Sequence, residues 1–329
     1  MNHGYWMALC LVLCAATACK PEASTSDPAS SDSRLRKIQL QLNWFPEAEH
    51  GGFYTAQLAG FYAEEGLDVE ILAGGPGASV IQKAAAGTVT FAVANADQVV
   101  IGRHQQADVV ALMAPLQDSP RSIMLHADSD VEGFDDLEGL TIAMGSGKAY
   151  ARFMENQGLL EGVQIVSYSG SVARFLTDKD FAQQAYIFSE PFLAQQQGAA
   201  TRNLMVSTLG FNPYTSILIT SGDQLQADRE LVDAMVRASI RGWHKYLQDP
   251  VETNQRINEL NENMGLEILA FGAEQLKPLC LPAGMTTEQL GQMTLDRWQT
   301  LTEQLKEIGM LEQAVDASEC FYLGGLPKQ

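Results

Sequence analysis

The sequence predicts an α/β fold made of about two domain-sized lobes. Strand-type and helix-type patterns alternate from Lys37 onward, which is the order expected of parallel strands joined by helices. The length of 329 residues suits about two domains, and a hydrophobic content of 46% is enough to build sizeable cores. The alternation appears twice, with different content each time, so two separate sheets are expected.

The first half of the pattern lies between residues 37 and 94. Its strands alternate apolar and polar residues or are continuously apolar, and its helices end at glycines that suit a helix C-terminus. In order, we expect a strand at 37–43, a helix at 52–65 closed by Gly66, a strand at 68–72, a turn at 74–77, a helix at 80–86 capped by Ser79 and closed by Gly87, and a strand at 89–94.

The second half repeats the alternation and then becomes mainly helical. We expect strands at 141–144, 163–168, 185–188 and 216–220, with a helix at 148–157 between the first two. Beyond residue 230, apolar residues recur at steps of three and four, which predicts a helix with one apolar face. Trp243 lies on that face, and we expect it to be a core residue.

The N-terminus predicts export. Residues 6–18 form an apolar run that is too short to span a bilayer and is typical of a signal-peptide core. The run ends in Ala16-Thr17-Ala18-Cys19, which resembles the lipobox of bacterial lipoproteins, although Ala16 stands where leucine is usual. The polar residues that follow predict a flexible tether. We therefore expect a signal peptide at 1–18 and a tether at 19–36 lipidated at Cys19; the alternative is a plain cleavable signal.

Charge and cysteine usage narrow the function classes. The formal net charge of −19 argues against nucleic-acid binding, which needs a basic face. After export, Cys280 and Cys320 remain as an even pair in an oxidising compartment, so a disulfide between them is expected, with two separate thiols as the alternative. Because the spacing of His and Cys does not resemble a zinc site, no metal is expected.

The segment Leu42–Val69 (LNWFPEAEHGGFYTAQLAGFYAEEGLDV) carries a specific family resemblance. It resembles the opening of bacterial binding proteins for thiamine-pyrimidine precursors and of the related pyrimidine-phosphate synthases, and more remotely sulfonate- and nitrate-binding proteins. The resemblance extends from Lys37 to about Pro278, and the further stretches that carry it are Ala94–Asp97, Asp136–Leu140, Tyr186–Phe192, Gly210–Tyr214 and Asp249-Pro250.

The resemblance implies a type II periplasmic-binding-protein fold, in which two α/β lobes are joined by a hinge and hold the ligand in a cleft. It places lobe 1 at 37–120 and 216–329 and lobe 2 at 121–215, with the hinge crossed near 119–121 and 212–215. It also implies an exported, lipid-anchored solute-binding protein on the periplasmic side of the envelope. Such a protein delivers its ligand to the permease and ATPase of an ABC importer and requires no cofactor.

Polar or aromatic residues directly follow four of the expected strands. Ligands of α/β sheets bind at the carboxyl ends of strands, so these breaks are where a small-molecule site is expected. Arg121 and Lys148, the nearest cations, are expected to be solvated. The expected ligand-binding residues are Asn43, Trp44, His50, Asn95, Asp97, Gln117, Ser146, Glu190 and Tyr214.

Three of these residues have a specific expected role and an alternative. Trp44 offers a flat face for stacking an aromatic ligand, or packs in the core. His50 hydrogen-bonds a ring nitrogen or carbonyl, or faces solvent at a helix start. Glu190 accepts two hydrogen bonds from an amino-substituted ring, or is a turn carboxylate. A planar ring is therefore the expected ligand, in the order thiamine pyrimidine precursor, riboflavin or another heteroaromatic, and sulfonate or nitrate.

The sequence favours a binding protein over an enzyme. The related synthases carry a cysteine-rich cluster where this chain has Gly210–Ser216 (GFNPYTS), which contains no cysteine. The segment Gly145–Lys148 (GSGK) lacks both the earlier glycine and the following Ser or Thr of a phosphate-binding loop, so no nucleotide cofactor is expected. A tethered ligand-sensing accessory domain stays open as a further alternative.

Overall fold

A computed structural model describes residues 35–326 of the chain. Its strands are β1 (Arg36–Gln41), β2 (Leu67–Leu72), β3 (Phe91–Ala94), β4 (Val110–Met113), β5 (Arg121–His126), β6 (Thr141–Met144), β7 (Gln164–Ser167), β8 (Phe181–Tyr186), β9 (Thr201–Met205) and β10 (Ile217–Thr220). The expected signal peptide, Cys19 and almost all of the tether lie outside the described residues.

Helices connect and cover these strands. They are α1 (Gly51–Leu58), α2 (Phe61–Glu64), α3 (Val80–Ala85), α4 (Ala96–His104), α5 (Ala149–Asn156), α6 (Glu190–Gln196), α7 (Gly222–Ala227), α8 (Arg229–Gln248), α9 (Val251–Leu260), α10 (Leu266–Cys280) and α11 (Leu295–Glu307). Within residues 35–326, none of the helices is both apolar enough and long enough to cross a membrane.

The strands form two five-stranded sheets, one in each α/β lobe. The first has the order β2-β1-β3-β10-β4 and the second the order β7-β6-β8-β5-β9. In each sheet the first three strands are parallel, whereas the fourth, β10 or β5, runs antiparallel to both of its neighbours. Because β4 and β9 therefore run in the same direction as the first three strands of their sheets, the expectation of parallel strands is right for four strands in each sheet and wrong for β10 and β5. The chain enters each lobe from the other lobe through this fourth strand. Its opposite direction follows from that crossing.

Two connecting segments form the hinge, and they are bonded to each other. Leu116 pairs with Thr215 in an isolated β-bridge. The Asn212 side chain bonds the opposite segment twice, because its Nδ2 donates to Asp118 Oδ1 at 2.8 Å and its Oδ1 accepts the Ser119 N–H at 2.8 Å. The two segments are therefore linked to each other by hydrogen bonds.

Two expected elements differ from those observed. The expected helix at 52–65 is interrupted at Gly60, whose φ of 75° is left-handed, so it becomes α1 and α2. The expected strand at 185–188 is instead the end of β8, which begins at Phe181. The chain turns after Tyr186, because the Glu190 carboxylate accepts the Tyr186 N–H at 2.8 Å.

The expected disulfide is wrong: Cys280 and Cys320 are both free and buried. Cys280 ends α10 and packs in the cluster around α1 and α8, whereas Cys320 packs in the other large cluster, with α4 and α11. Burial raises the pKa of the Cys320 thiol to about 12 and raises that of Cys280 as well, so both are protonated. They behave as small apolar side chains.

Candidate functional site

A small cavity of about 40 Å³ lies where the two sheets face each other. Its wall contains residues from both lobes and from the hinge: Asn95, Asp97, Ser119, Arg121, Tyr150, Tyr186, Val206, Phe211, Pro213 and Thr215. Asn95 follows β3 directly and Tyr186 ends β8, so the cavity lies at the strand ends where the sequence predicted a site. We take this interlobe cavity as the candidate ligand site.

Lobe 1 contributes a polar wall from the start of α4. The Asn95 N–H donates to Gln98 Oε1 at 3.0 Å, and Asn95 Oδ1 accepts the Ser216 N–H at 3.2 Å. Asp97 lies in the first turn of α4, and burial is the main cause that raises the pKa of its carboxyl, opposed by the Gln98 N–H and by the charges of Arg121 and Lys148. Among the described residues, buried Asp97 Oδ1 has no hydrogen-bond partner. An acceptor without a donor therefore faces this region.

Arg121 is the residue that sequence reasoning misjudged. The expectation that it is solvated is wrong, because its guanidinium carbon lies 4.2 Å from the centre of the Tyr186 ring and 4.9 Å from that of Tyr150. We call the space between these two rings the aromatic slot. The sequence did contain a signal that Arg121 lies near the cavity, since it is the first residue of an apolar strand directly after the hinge. Lys148, in contrast, is exposed as expected.

Residues 47–50 place a buried acidic group behind the cavity. Glu47, Glu49 and His50 are exposed by only 6%, 1% and 0%. Ser216, in left-handed backbone with φ of 54°, donates from Oγ to Glu49 Oε2 at 2.8 Å. His50 Nε2 donates to Asn43 Oδ1 at 2.9 Å, so the alternative of a solvent-facing His50 is wrong, and its role in ligand binding stays a prediction. Among residues 35–326, His50 Nδ1 has no partner.

Burial sets the charge states of this group. Burial alone lowers the pKa of His50 to about 3, so the imidazole is neutral. Burial raises the pKa of Glu49 to about 6, against the opposing effects of Ser216 and Arg121. For Glu47, burial comes first and the nearby carboxylates Glu49 and Glu190 add to it, so its pKa is well above the ordinary value. The Glu47–Glu49 pair was not predicted, although both carboxylates lie within the opening motif of the sequence.

Glu190 faces the same region from lobe 2, at the first residue of α6. Its Oε1 accepts a short hydrogen bond from the Tyr168 hydroxyl, and its Oε2 accepts the Tyr186 N–H at 2.8 Å. Each oxygen keeps a second lone pair, so the carboxylate can still accept from a ligand. The bond to Tyr186 is also what a turn carboxylate would make.

The remaining expected ligand residues lie in different environments. Trp44 is half-buried and packs edge-on against exposed Phe45 at 5.5 Å, and Ser146 is exposed. The Gln117 amide donates to the carbonyls of Ala114 and Gln292, both at 2.8 Å. Tyr214 is buried in the core, where its hydroxyl accepts the Thr294 N–H at 3.1 Å. Gln117 and Tyr214 therefore hold the hinge region and α11 together instead of lining the cavity.

A larger cavity of about 320 Å³ lies beside the hinge, between the segment at 210–213 and α11. Strand ends do not contribute to its wall, so it is a less suitable site. Within residues 35–326, His, Cys, Asp and Glu form no group that could hold a metal ion.

The comparisons with known proteins agree with this architecture. A sequence model of the family described as NMT1/THI5 like matches residues 47–253. The chain is 23% identical to the formylaminopyrimidine-binding protein of Halalkalibacterium halodurans, over 90% of this chain and 92% of that protein. It is 25% identical to the riboflavin-binding protein RibY of Chloroflexus aurantiacus, over 98% of this chain and 95% of that protein.

An enzyme also occurs among the relatives. The chain is 23% identical to the 4-amino-5-hydroxymethyl-2-methylpyrimidine phosphate synthase of Legionella pneumophila, over 88% of this chain and 92% of that protein. Among solved structures, the periplasmic aliphatic sulphonate-binding protein SsuA from Escherichia coli superposes with a TM-score of 0.67 at 12% identity, covering 89% of this chain and 93% of that one. The fold is therefore that of periplasmic binding proteins.

Proposed function

Because this chain belongs to the NMT1/THI5-like family and has the two-lobed fold of periplasmic binding proteins, we propose that it is an extracytoplasmic solute-binding lipoprotein. Its ligand would be a small heteroaromatic metabolite, with a thiamine pyrimidine precursor favoured, and its partner the permease and ATPase of an ABC importer. The relatives that bind a formylaminopyrimidine and riboflavin support a heteroaromatic ligand.

The observation that carries the proposal is the composition of the interlobe cavity. Tyr150 and Tyr186 supply two aromatic faces, and Asp97 supplies an acceptor without a donor. Glu190 does not line the cavity itself, but it interacts with Arg121 of the cavity wall and is a second carboxylate with free lone pairs nearby. Aromatic faces and carboxylates suit a flat ring that carries amino groups. The lobes, taken as 37–120 with 216–329 and 121–215, would close on this ring and exclude water.

A binding role fits the site better than catalysis. The site combines hydrogen-bond acceptors and aromatic rings, and both cysteines of the described residues are buried and protonated, and neither lines the interlobe cavity. The segment at 210–216 also lacks the cysteines of the related synthases. A test is incubation of the purified protein with its ligand: a binding protein returns the ligand chemically unchanged.

Anchoring at Cys19 rests on the sequence. The lipobox-like Ala16–Cys19 and the polar residues that follow would place the protein on the periplasmic side of the envelope, held by a lipid. Mass spectrometry of protein from the membrane fraction should find a lipid-modified Cys19 at the N-terminus. A mature protein that begins elsewhere and carries no lipid would contradict the anchor.

The ligand class is tested by calorimetric titration of the purified protein. We expect 4-amino-5-hydroxymethyl-2-methylpyrimidine to bind more tightly than riboflavin and than taurine, an aliphatic sulfonate. Tightest binding of riboflavin would replace the favoured ligand with the second heteroaromatic candidate. Tightest binding of taurine, or binding of none of the three, would contradict the proposal. Mass spectrometry of any molecule that copurifies provides an unbiased check.

Glu190→Gln should weaken binding of that pyrimidine. Gln keeps the shape but replaces one acceptor oxygen with a donor, which would face an amino group of the ligand. Loss of a charge-assisted bond worth about 1.5–3 kcal/mol corresponds to an increase in Kd of roughly tenfold to hundredfold. Trp44→Ala should also weaken binding if Trp44 stacks on the ring.

The control for Glu190→Gln is Glu155→Gln, at an exposed position of α5 where the carboxylate pairs with Arg152. This variant should bind as the parent does. Binding by Glu190→Gln as tight as that of the parent, or a ligand-free Tm several degrees lower, would show that Glu190 serves the turn.

A further inference from the structure

We infer that the Arg121 guanidinium occupies the position of the ligand ring in the ligand-free protein, and that the ligand is a planar cation which displaces it from the aromatic slot. This inference rests on the proposed function, because it assumes that the interlobe cavity is the ligand site. It narrows the substrate class to an amino-substituted heteroaromatic ring that binds with a positive charge.

The geometry of the aromatic slot suits a flat cation. The guanidinium carbon lies over the ring of Tyr186 at 4.2 Å and over that of Tyr150 at 4.9 Å. A guanidinium is flat, delocalised and rich in N–H donors, so its position defines a space for a flat molecule that presents N–H groups at its edge. Both aromatic faces attract a cation through their quadrupoles.

The free volume of the interlobe cavity is small. The interlobe cavity measures about 40 Å³. A cavity that binds benzene measures about 150 Å³, so a substituted six-membered ring does not fit beside the guanidinium. The long arginine stem can provide the room by swinging out of the slot, while the tyrosine rings of the same lobe stay in place. The ligand would then stack where the guanidinium was.

The charges around Arg121 favour a cation as the ligand. The positive charge of Arg121 favours the ionised forms of Asp97 and Glu49, and Glu190 also interacts with it. If a neutral or anionic molecule replaced the guanidinium, these carboxylates would lose their counter-charge in a largely buried site, which is costly. A cationic ring would take over the counter-charge, and unpartnered Asp97 Oδ1 would gain a donor.

The test is chemical rescue. In Arg121→Ala and Arg121→Met the slot is empty, so millimolar guanidinium ion should raise the Tm of both variants by several degrees and leave that of the parent unchanged. The flat cation 4-aminopyridinium should bind both variants at least tenfold more tightly than the parent, whereas benzoate, a flat anion, should not. The matched control is Arg174→Met, which removes a guanidinium 4.4 Å above Phe181 in the same lobe, outside the slot.

A second measurement uses the folded parent. Arg121→Lys assigns the Nε–H resonance of Arg121 by its disappearance, and that proton should exchange slowly with water in the ligand-free protein. Saturation with 4-amino-5-hydroxymethyl-2-methylpyrimidine should make the exchange fast, because the guanidinium has left the slot. Continued protection at saturation would overturn the displacement.

The two proposals fail separately. If guanidinium stabilises the Arg121 variants but the parent does not bind the pyrimidine, the aromatic slot is retained as a cation site and the proposed ligand is rejected. Suppose instead that the parent binds the pyrimidine, that Arg121→Ala and Arg121→Met do not, and that guanidinium does not raise the Tm of these variants. The proposed function would then be retained. This outcome would also make Arg121 a direct ligand-binding residue and overturn its displacement.

Discussion

At the scale of single residues, the Glu47–Glu49 pair has the largest consequence for stability. Both carboxyls are buried beside each other, and Glu49 is held by Ser216 from the far side of the hinge. Folding raises the pKa of Glu47 well above its ordinary value of 4.5, so the folded protein binds this proton over a pH range where the unfolded chain has lost it. The stabilisation is complete below about pH 4.5 and is lost as the pH rises through the folded-state pKa.

We therefore predict that Glu47→Gln flattens the pH dependence of stability on the alkaline side. Gln imitates the protonated carboxyl, so as the pH rises above 6.5 the variant should lose less stability than the parent, by up to about 1.4 kcal/mol per pH unit for one proton. Thermal unfolding at a series of pH values measures this. Glu262→Gln, at an exposed position, should follow the parent.

His50 also affects how the stability depends on pH, but only below pH 6.5. Its pKa falls from 6.5 to about 3 on folding, so its stabilising contribution is complete above pH 6.5 and is lost as the pH falls toward 3. Above pH 6.5, His50 contributes a constant amount, and changes there report on the carboxyl pair. Parallel curves for the parent and Glu47→Gln would contradict a protonated Glu47.

At the scale of elements, close contact between α1 and α8 positions the start of α1 and thus residues 47–50. Trp243 of α8 is fully buried and meets Phe53 edge-on at 5.9 Å. The helices approach so closely that a Cβ added to Gly242 would lie 2.1 Å from the Gly52 carbonyl oxygen and 2.6 Å from Ala56 Cβ. Glycine at position 242 is therefore required by contact.

Gly242→Ala should separate these helices. The clashing atom is a backbone oxygen that cannot move alone, so we expect a loss of about 2 kcal/mol or more, equivalent to a fall in Tm of roughly 4–8 °C. Differential scanning calorimetry measures this change. Gly265→Ala is the control, because Gly265 has φ of −62° and its added Cβ meets no atom within 4 Å. Equal stability of the two variants would show that the packing tolerates the extra methyl group.

At the scale of the whole molecule, α11 connects the two lobes behind the cavity. It contacts α4 of lobe 1 and α5 of lobe 2. Its Arg297 bonds both hinge segments, since the guanidinium donates to Asn212 O at 2.8 Å and makes a short bond to Gln117 O. The same guanidinium stacks on Tyr214 at 4.0 Å. Arg297 thereby links the two hinge segments to each other and to α11.

We expect the lobes to stand apart in the free protein in solution and to close on the ring, so ligand binding should reduce the radius of gyration of the parent. Arg297→Met keeps the apolar stem but releases both carbonyls, so the free variant should show a larger radius and weaker apparent affinity. Small-angle scattering with and without the pyrimidine measures both, with exposed Arg152→Met as the control. A parent radius unchanged at saturation would argue against hinge closure.

Local patterns in the sequence predicted the arrangement of elements. Periods of two and of about 3.6 residues placed most strands and helices, because those periods depend on neighbours within a few positions. They also placed Asn95 and Glu190 directly after buried strands, and the opening motif indicated the family. Strands β4, β5 and β9 were not predicted, although β4 lies in the apolar run 109–114, which is followed by Pro115, and Pro120 directly precedes β5.

What only the tertiary structure decided is which of these residues meet, and in what charge state. Glu49 is bonded by Ser216, 167 positions away, and Arg121 is enclosed by tyrosines from two later elements. Tyr214 entered the core and the cysteines stayed apart for the same reason. Burial depends on contacts between distant segments, and burial sets the pKa of a carboxyl or imidazole, so no local pattern could reveal it.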